Sequence, residues 1–351
     1  MKGQRLKNLI FAIIVLMTFG AYLVHFIGIT YLYSDMWAHV LLYAFLGVIL
    51  TLILAPLVHE LGHLIVGLIV GLKLVSFNIS FIKLQFYKKF KITITNPYVF
   101  GETVFLPKSP KNYPKKLRAT TIAGLIFSIL YVVMGVLIVA LSTNLDLVLL
   151  FGVSYHISLY ILLVNALPFK SDSDGALLFN YQFKGSAYKE MSSNVLSATA
   201  EIACGVEPKD VSARYLTEFN FSYDYYSVML KYLRYIAFLW RDEESAFKEL
   251  FDISDLDKVP DSLYETIYKE IFFASVVRGD DKFVKNHEET IVGYLDDNSP
   301  SNYRIHAVYR QYKGDVDWAN ILIEAGLKNL DENDGLSKYE KRLLTAMKKD
   351  N

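Results

Sequence analysis

Long apolar runs separated by short polar turns fill the first half of the chain, and the second half switches to shorter amphipathic stretches. Four runs are long enough to cross about 30 Å of hydrocarbon as helix, which takes about 20 residues. They cover roughly Leu9 to Leu32, Trp37 to Leu72, Ala119 to Leu141 and Leu145 to Leu167. The second exceeds one crossing, and Pro56 within it predicts a kink or a split. Between the second and third runs the period changes to two. Val75, Phe77, Ile79 and Phe81 alternate with Ser76, Asn78 and Ser80, and Phe90, Ile92 and Ile94 alternate with Lys91, Thr93 and Thr95. Such alternation of β-branched and aromatic residues predicts strands, with a turn near Tyr87-Lys88-Lys89.

After Asn180 the character changes. Residues 181–223 read as a mixed polar connector. From about Asp224 the chain reads as helix pairs, with turns at Arg241-Asp242, Gly279-Asp280 and Gly314-Asp315. The aspartates are spaced by 38 and then 35 residues. A helix–turn–helix unit at that period predicts a tetratricopeptide-like array. The pattern as a whole predicts an α-helical polytopic membrane protein of about four transmembrane helices with a short β-hairpin-like insertion, followed by a C-terminal all-α, tetratricopeptide-like domain. The expected divisions are residues 1–36, a tail and first transmembrane helix; 37–180, the membrane core; 181–223, the connector; and 224–351, the helical-repeat domain.

Composition supports the membrane assignment: 53% of the 351 residues are hydrophobic and the mean hydropathy is +0.28. The formal net charge of zero hides an asymmetry. Through Asn180 there are 14 Lys+Arg against 6 Asp+Glu; beyond it there are 22 against 30. The basic half also holds the apolar runs, so its charge reads as topology rather than nucleic-acid binding. Lys2, Arg5 and Lys7 precede the first run, and the loop after the second carries lysines from Lys88 to Lys116 and Arg118. The turns after the first and third runs lack a base. Both termini and the basic loop are therefore expected in the cytoplasm. The first run is longer than a signal-peptide core and lacks a small-residue cleavage site after it, so it reads as a retained helix. Cys204 is the single cysteine, which excludes an intrachain disulfide framework and a cysteine-based metal site.

The candidate chemistry lies in the second run, at His59-Glu60-Leu61-Gly62-His63. On a helix, positions i and i+4 share a face, so His59 and His63 can grip one zinc ion while Glu60 takes a proton from zinc-bound water. Charged and imidazole groups in an apolar helix are costly and point to function. Such a site needs a third protein ligand. The fourth run ends in Asn165-Ala166-Leu167-Pro168 and continues to Asp172-Ser173-Asp174-Gly175. Either Asp172 or Asp174 can reach back to a metal from there. His156 and His39 read as packed or interhelical histidines.

These motifs resemble the site-2 protease family of intramembrane zinc metalloproteases, whose pattern is HExxH in one membrane helix and a later Asn-x-x-Pro…Asp-Gly. The likeness spans roughly residues 37–180 and includes Gly101 to Pro107 and a helix opening with Ala123-Gly124. It implies that His59, His63 and Asp174 bind zinc, that Glu60 is the general base, and that Asn165 steadies the oxyanion or the substrate backbone. Asp174 lies nine residues after Asn165 and Asp172 seven, one residue either side of the family's usual spacing; Gly175 favours Asp174. The implied substrate is a membrane-spanning protein or peptide in the lipid bilayer, with the C-terminal domain binding a cytoplasmic partner. The alternative is an inactive protease-like scaffold acting through that domain.

Overall fold

The computed structural model describes residues 2–32, 34–79, 82–86, 90–94, 101–168, 173–295, 298–331 and 334–349. Asp172, Phe81 and the turn at Tyr87-Lys88-Lys89 lie outside the described residues. The chain forms two compact units, residues 1–108 with 114–184, and residues 109–113 with 185–351.

The first unit opens with helix α1 (Lys2–Leu32), then helix α2 (Trp37–Ile69). Pro56 lies inside α2 and the helix runs through it rather than splitting. Four strands follow: β1 (Leu72–Ile79), β2 (Ile82–Gln85), β3 (Lys91–Ile94) and β4 (Gly101–Pro107). They form an antiparallel sheet in the order β3-β2-β1-β4. The two alternating stretches do not pair directly as a hairpin: β2 lies between β1 and β3, and β4 adds an edge strand on the other side of β1. The apolar and polar positions of β4 do not alternate cleanly, so the period-two signal misses it. Helices α3 (Tyr113–Leu141), α4 (Leu145–Ala166) and α5 (Asp174–Phe183) complete the unit. Among the described residues, α2, α3 and α4 are long and apolar enough to cross a membrane, and α1 contributes a shorter apolar stretch, Val15–Gly28.

Two close approaches fix the layout around α2. Gly47 meets α4, where an added Cβ would lie 2.6 Å from the Leu150 carbonyl oxygen. Gly67 meets β4, where a Cβ would lie 2.3 Å from the Phe105 ring. Leu72 pairs with Pro107 and Ile79 with Gly101, so β4 runs alongside the last turns of α2 in the same direction.

The second unit contains α6 (Ser186–Ala203), α7 (Tyr225–Phe238), α8 (Glu243–Phe251), α9 (Asp261–Arg278), α10 (Asp281–Gly293), α11 (Pro300–Tyr312), α12 (Val316–Lys328) and α13 (Gly335–Lys349). α6 falls within the stretch read as a connector. It buries Tyr188, Met191, Val195 and Ile202 and packs against α7 and α13. The three turns at which the sequence repeats join α7 to α8, α9 to α10 and α11 to α12. In each, the aspartate caps the second helix: Asp242 accepts from the Ser245 amide, Asp280 from Phe283 and Asp315 from Trp318. Gly279 and Gly314 take left-handed backbone at the last two turns, with φ of 70° and 80°.

Candidate metal centre

The His59, Glu60 and His63 side chains are buried within α2, at 8%, 5% and 9% exposure. A polar stripe on α3 faces the two imidazoles at intervals of four residues. His63 Nδ1 lies 2.8 Å from the main-chain oxygen of Thr120, and His59 Nδ1 lies 2.8 Å from Ser128 Oγ. Between them is Gly124, where a Cβ would stand 2.4 Å from the His63 ring and 3.0 Å from the His59 ring. A bare backbone at that position lets α3 close over both rings.

From the other side comes the junction of α4 and α5. Asn165 ends α4 with its Nδ2 2.9 Å from His59 Nε2. Ser173 caps α5, accepting from the Ala176 amide, and Asp174 begins the helix. Gly175 makes the tight junction possible, since a Cβ there would overlap the Ala166 carbonyl oxygen at 2.0 Å. Asp174 Oδ2 thereby comes within 3.0 Å of His59 Nε2 and 3.1 Å of His63 Nε2. The two Nε2 atoms are themselves 3.0 Å apart.

Glu60 is turned toward the sheet. Thr103 on β4 donates its hydroxyl to Glu60 Oε2 at 2.5 Å, and Gly101 leaves room for the carboxylate, since a Cβ there would sit 2.7 Å from Glu60 Oε1. A Glu60 carboxylate oxygen stays within 4.8 Å of a ligand nitrogen on each imidazole.

The proton arrangement tests whether a cation suits this cluster. The Thr120 carbonyl can only accept, so His63 Nδ1 donates to it and the ring turns Nε2 toward Asp174 and His59. Asn165 donates to His59 Nε2, so that nitrogen presents a lone pair and its Nδ1–H goes to Ser128. Asp174 Oδ2 is buried between the two Nε2 atoms, at 3.0 and 3.1 Å. Two imidazole nitrogens and one carboxylate oxygen therefore converge within 3.1 Å of one another, a donor set that a cation holds together once His63 Nε2 is deprotonated. Two imidazoles and one carboxylate, each oriented by a second hydrogen bond or a helix cap, suit a divalent transition metal.

No family model, curated protein or solved structure matches the chain. What the site can do rests on its own residues. The structure brings His59, His63, Asp174 and Asn165 to one point, with Glu60 beside it. Thr103, Thr120 and Ser128 are the contributors that motif reading overlooks. For Thr120 and Ser128 the signal available was spacing: with Gly124 they form an i, i+4, i+8 row of small or polar residues in an apolar helix. His156 lies apart, its Nδ1 2.6 Å from the Gly152 carbonyl oxygen and its ring against Tyr22 and Tyr155. His39 bridges α2 to α4 through Asp146 at 2.6 Å.

Proposed function

We propose that the chain is a membrane-embedded zinc endopeptidase of the site-2 protease type. The observation that carries this reading is the meeting of His59, His63 and Asp174, from α2 and the start of α5, beside a buried glutamate. In this reading α1 is a fourth membrane helix, both termini are cytoplasmic, and the helix pairs from α7 to α12 are a tetratricopeptide-like domain. The site then lies toward the cytoplasmic end of α2. The substrate is a membrane-spanning protein or a peptide lodged in the bilayer.

His59, His63 and Asp174 would hold a zinc ion, which would supply Lewis acidity to a peptide carbonyl and to water. Glu60 takes the proton from the attacking water and returns it to the leaving amine. The Thr103 hydroxyl holds the Glu60 carboxylate in one orientation for both transfers. Asn165 offers an amide N–H to the developing oxyanion. Apolar helices around the site limit water, which strengthens each of these contacts.

A peptide carbonyl inside a helix is engaged in its own hydrogen bonds, so the substrate must present an extended stretch. An exposed strand edge can receive it by strand addition. β1 is paired on both sides, so Phe77 and Ile79 have no free edge to offer. β4 pairs only with β1 among the described strands and carries Thr103 and Gly101 against Glu60. The β4 edge therefore takes the docking role. Cleavage of a single-span reporter co-reconstituted with the protein tests the reading: Glu60→Gln should abolish cleavage while retaining zinc. A Glu60→Gln protein that performs its cellular function unchanged would favour the scaffold reading.

A further inference from the structure

The second unit contains a cavity of about 190 Å³ between the segment before α7 and the α7–α8 pair. That is smaller than the roughly 300–1,000 Å³ of pockets that enclose whole small molecules, and it suits one or two side chains of a peptide. Phe219, Phe221 and Leu230 supply apolar and aromatic wall. The floor is ionic. Arg234 pairs with Glu249 through Nε at 2.8 Å and Nη2 at 2.6 Å, and its Nη1 donates to the Leu216 carbonyl oxygen. Lys231 pairs with Glu249 at 2.8 Å and with Asp252 at 2.9 Å.

Both cations are therefore saturated by groups of the protein itself. The remaining charge is Glu218 at the rim. Its side chain is 89% exposed and its ion pair to Arg234 Nη2 is long at 3.4 Å. The lining carries two bases, Lys231 and Arg234, against two acids, Glu218 and Glu249, and since Glu249 engages both bases the charge left at the mouth is the Glu218 carboxylate. A carboxylate entering there would meet Glu218, whereas a lysine or arginine would pair with it. The Phe219 and Phe221 rings offer cation–π and stem contacts to such a side chain. The wider surface agrees in sign, since residues 181–351 carry 30 acidic groups against 22 basic ones.

We infer that this cavity, rimmed by Glu218, Phe219 and Phe221, docks a lysine- or arginine-rich protein segment, namely the basic flank that membrane-spanning proteins carry on their cytoplasmic side. The identification of that segment as part of a substrate rests on the proposed protease function; the binding of a basic peptide does not. The cavity selects by charge and the metal centre cuts, so specificity and catalysis are held by separate units.

The test uses the full chain carrying Glu60→Gln, in nanodiscs of zwitterionic lipid, so that neither cleavage nor lipid charge enters the readout. A fluorescein-labelled basic juxtamembrane peptide and its Lys/Arg→Glu counterpart are titrated by anisotropy. The basic peptide should bind, weaken with added salt, and lose about ten-fold or more in affinity with Glu218→Lys and with Phe221→Ala. Glu218 is too exposed for its replacement to disturb folding, which helix content and elution volume check. Equal binding of the acidic peptide, absence of binding, or unchanged affinity in both variants would overturn the inference. A chain that binds the peptide yet takes up no zinc would sink the protease reading and leave this one standing.

Discussion

At the scale of single residues, the site depends on atoms that are absent by design as much as on ligands. Gly124→Ala puts a methyl group 2.4 Å from the His63 ring, so zinc uptake should collapse while the helical circular-dichroism signal persists. Normal zinc content in that variant would mean that α3 does not close over the imidazoles as described. Ser128→Ala removes the acceptor that fixes the His59 tautomer. Zinc affinity should fall about 10–100-fold, the usual cost of losing an outer hydrogen-bond partner of a ligand, as read by competition with a chromogenic chelator. Thr103→Val separates catalysis from binding: cleavage should fall by a similar factor with zinc content unchanged. Loss of zinc there would instead make Glu60 a ligand. The HExxH core was legible because helical periodicity alone aligns i with i+4. Thr103 was not, because its neighbourhood to Glu60 depends on sheet register across 43 residues.

At the scale of elements, the α4–α5 junction brings Asp174 to the two imidazoles. Asp172 and Asp174 differ by two residues, and sequence favoured the second through Gly175 alone. The physical reason is the contact of Gly175 with the Ala166 carbonyl oxygen, together with the Ser173 cap that starts α5 at Asp174. Gly175→Ala should push α5 away from α4 and cost zinc nearly as much as loss of Asp174 itself. Retained zinc would show that the junction can yield. The sheet illustrates a different limit. Alternation revealed β1 and β3 but not β2 between them, and the edge beside Glu60 belongs to β4, whose short mixed sequence has no clean period. Val104→Pro, placed on that strand, should reduce cleavage with little effect on zinc. The turns at Gly279-Asp280 and Gly314-Asp315, by contrast, were fully readable, since Gly-Asp encodes both a left-handed stop and an N-cap; at Arg241-Asp242 only the N-cap was.

At the scale of the whole molecule, each unit is built around buried charge. In the second unit, fully buried Arg304 pairs with Glu340 at 2.7 Å and Glu270 at 2.6 Å, and Tyr235 donates to Glu270 at 3.0 Å. Arg304→Met leaves two acids buried without their cation and should destabilise the unit by about 3–5 kcal/mol in urea titration; replacing all three with apolar residues should cost far less. An equal loss in both would show that packing, not charge, dominates. Burial pushes the Glu340 carboxyl up, against the pull of Arg304. A raised folded-state pKa favours the protonated form, so this contribution is present below the unfolded value of about 4.3 and is lost as pH rises through the folded one. Glu340→Gln should flatten that part of the pH–stability profile, and an unchanged slope would argue against it. No pattern in the sequence exposed this cluster, because Glu270, Arg304 and Glu340 lie on three helices and each resembles an ordinary surface residue of an amphipathic repeat.

If α2, α4 and α5 meet at a metal site, the purified protein carries a metal. Zinc is measured by mass spectrometry in detergent-purified full-length protein, for wild type and for His59→Ala, Asp174→Ala and Asp172→Ala. Wild type and Asp172→Ala should each hold about one zinc per chain, and His59→Ala and Asp174→Ala should lose it. A folded wild-type chain that takes up no zinc when offered it, or an Asp174→Ala variant that keeps its zinc, would contradict the metal site.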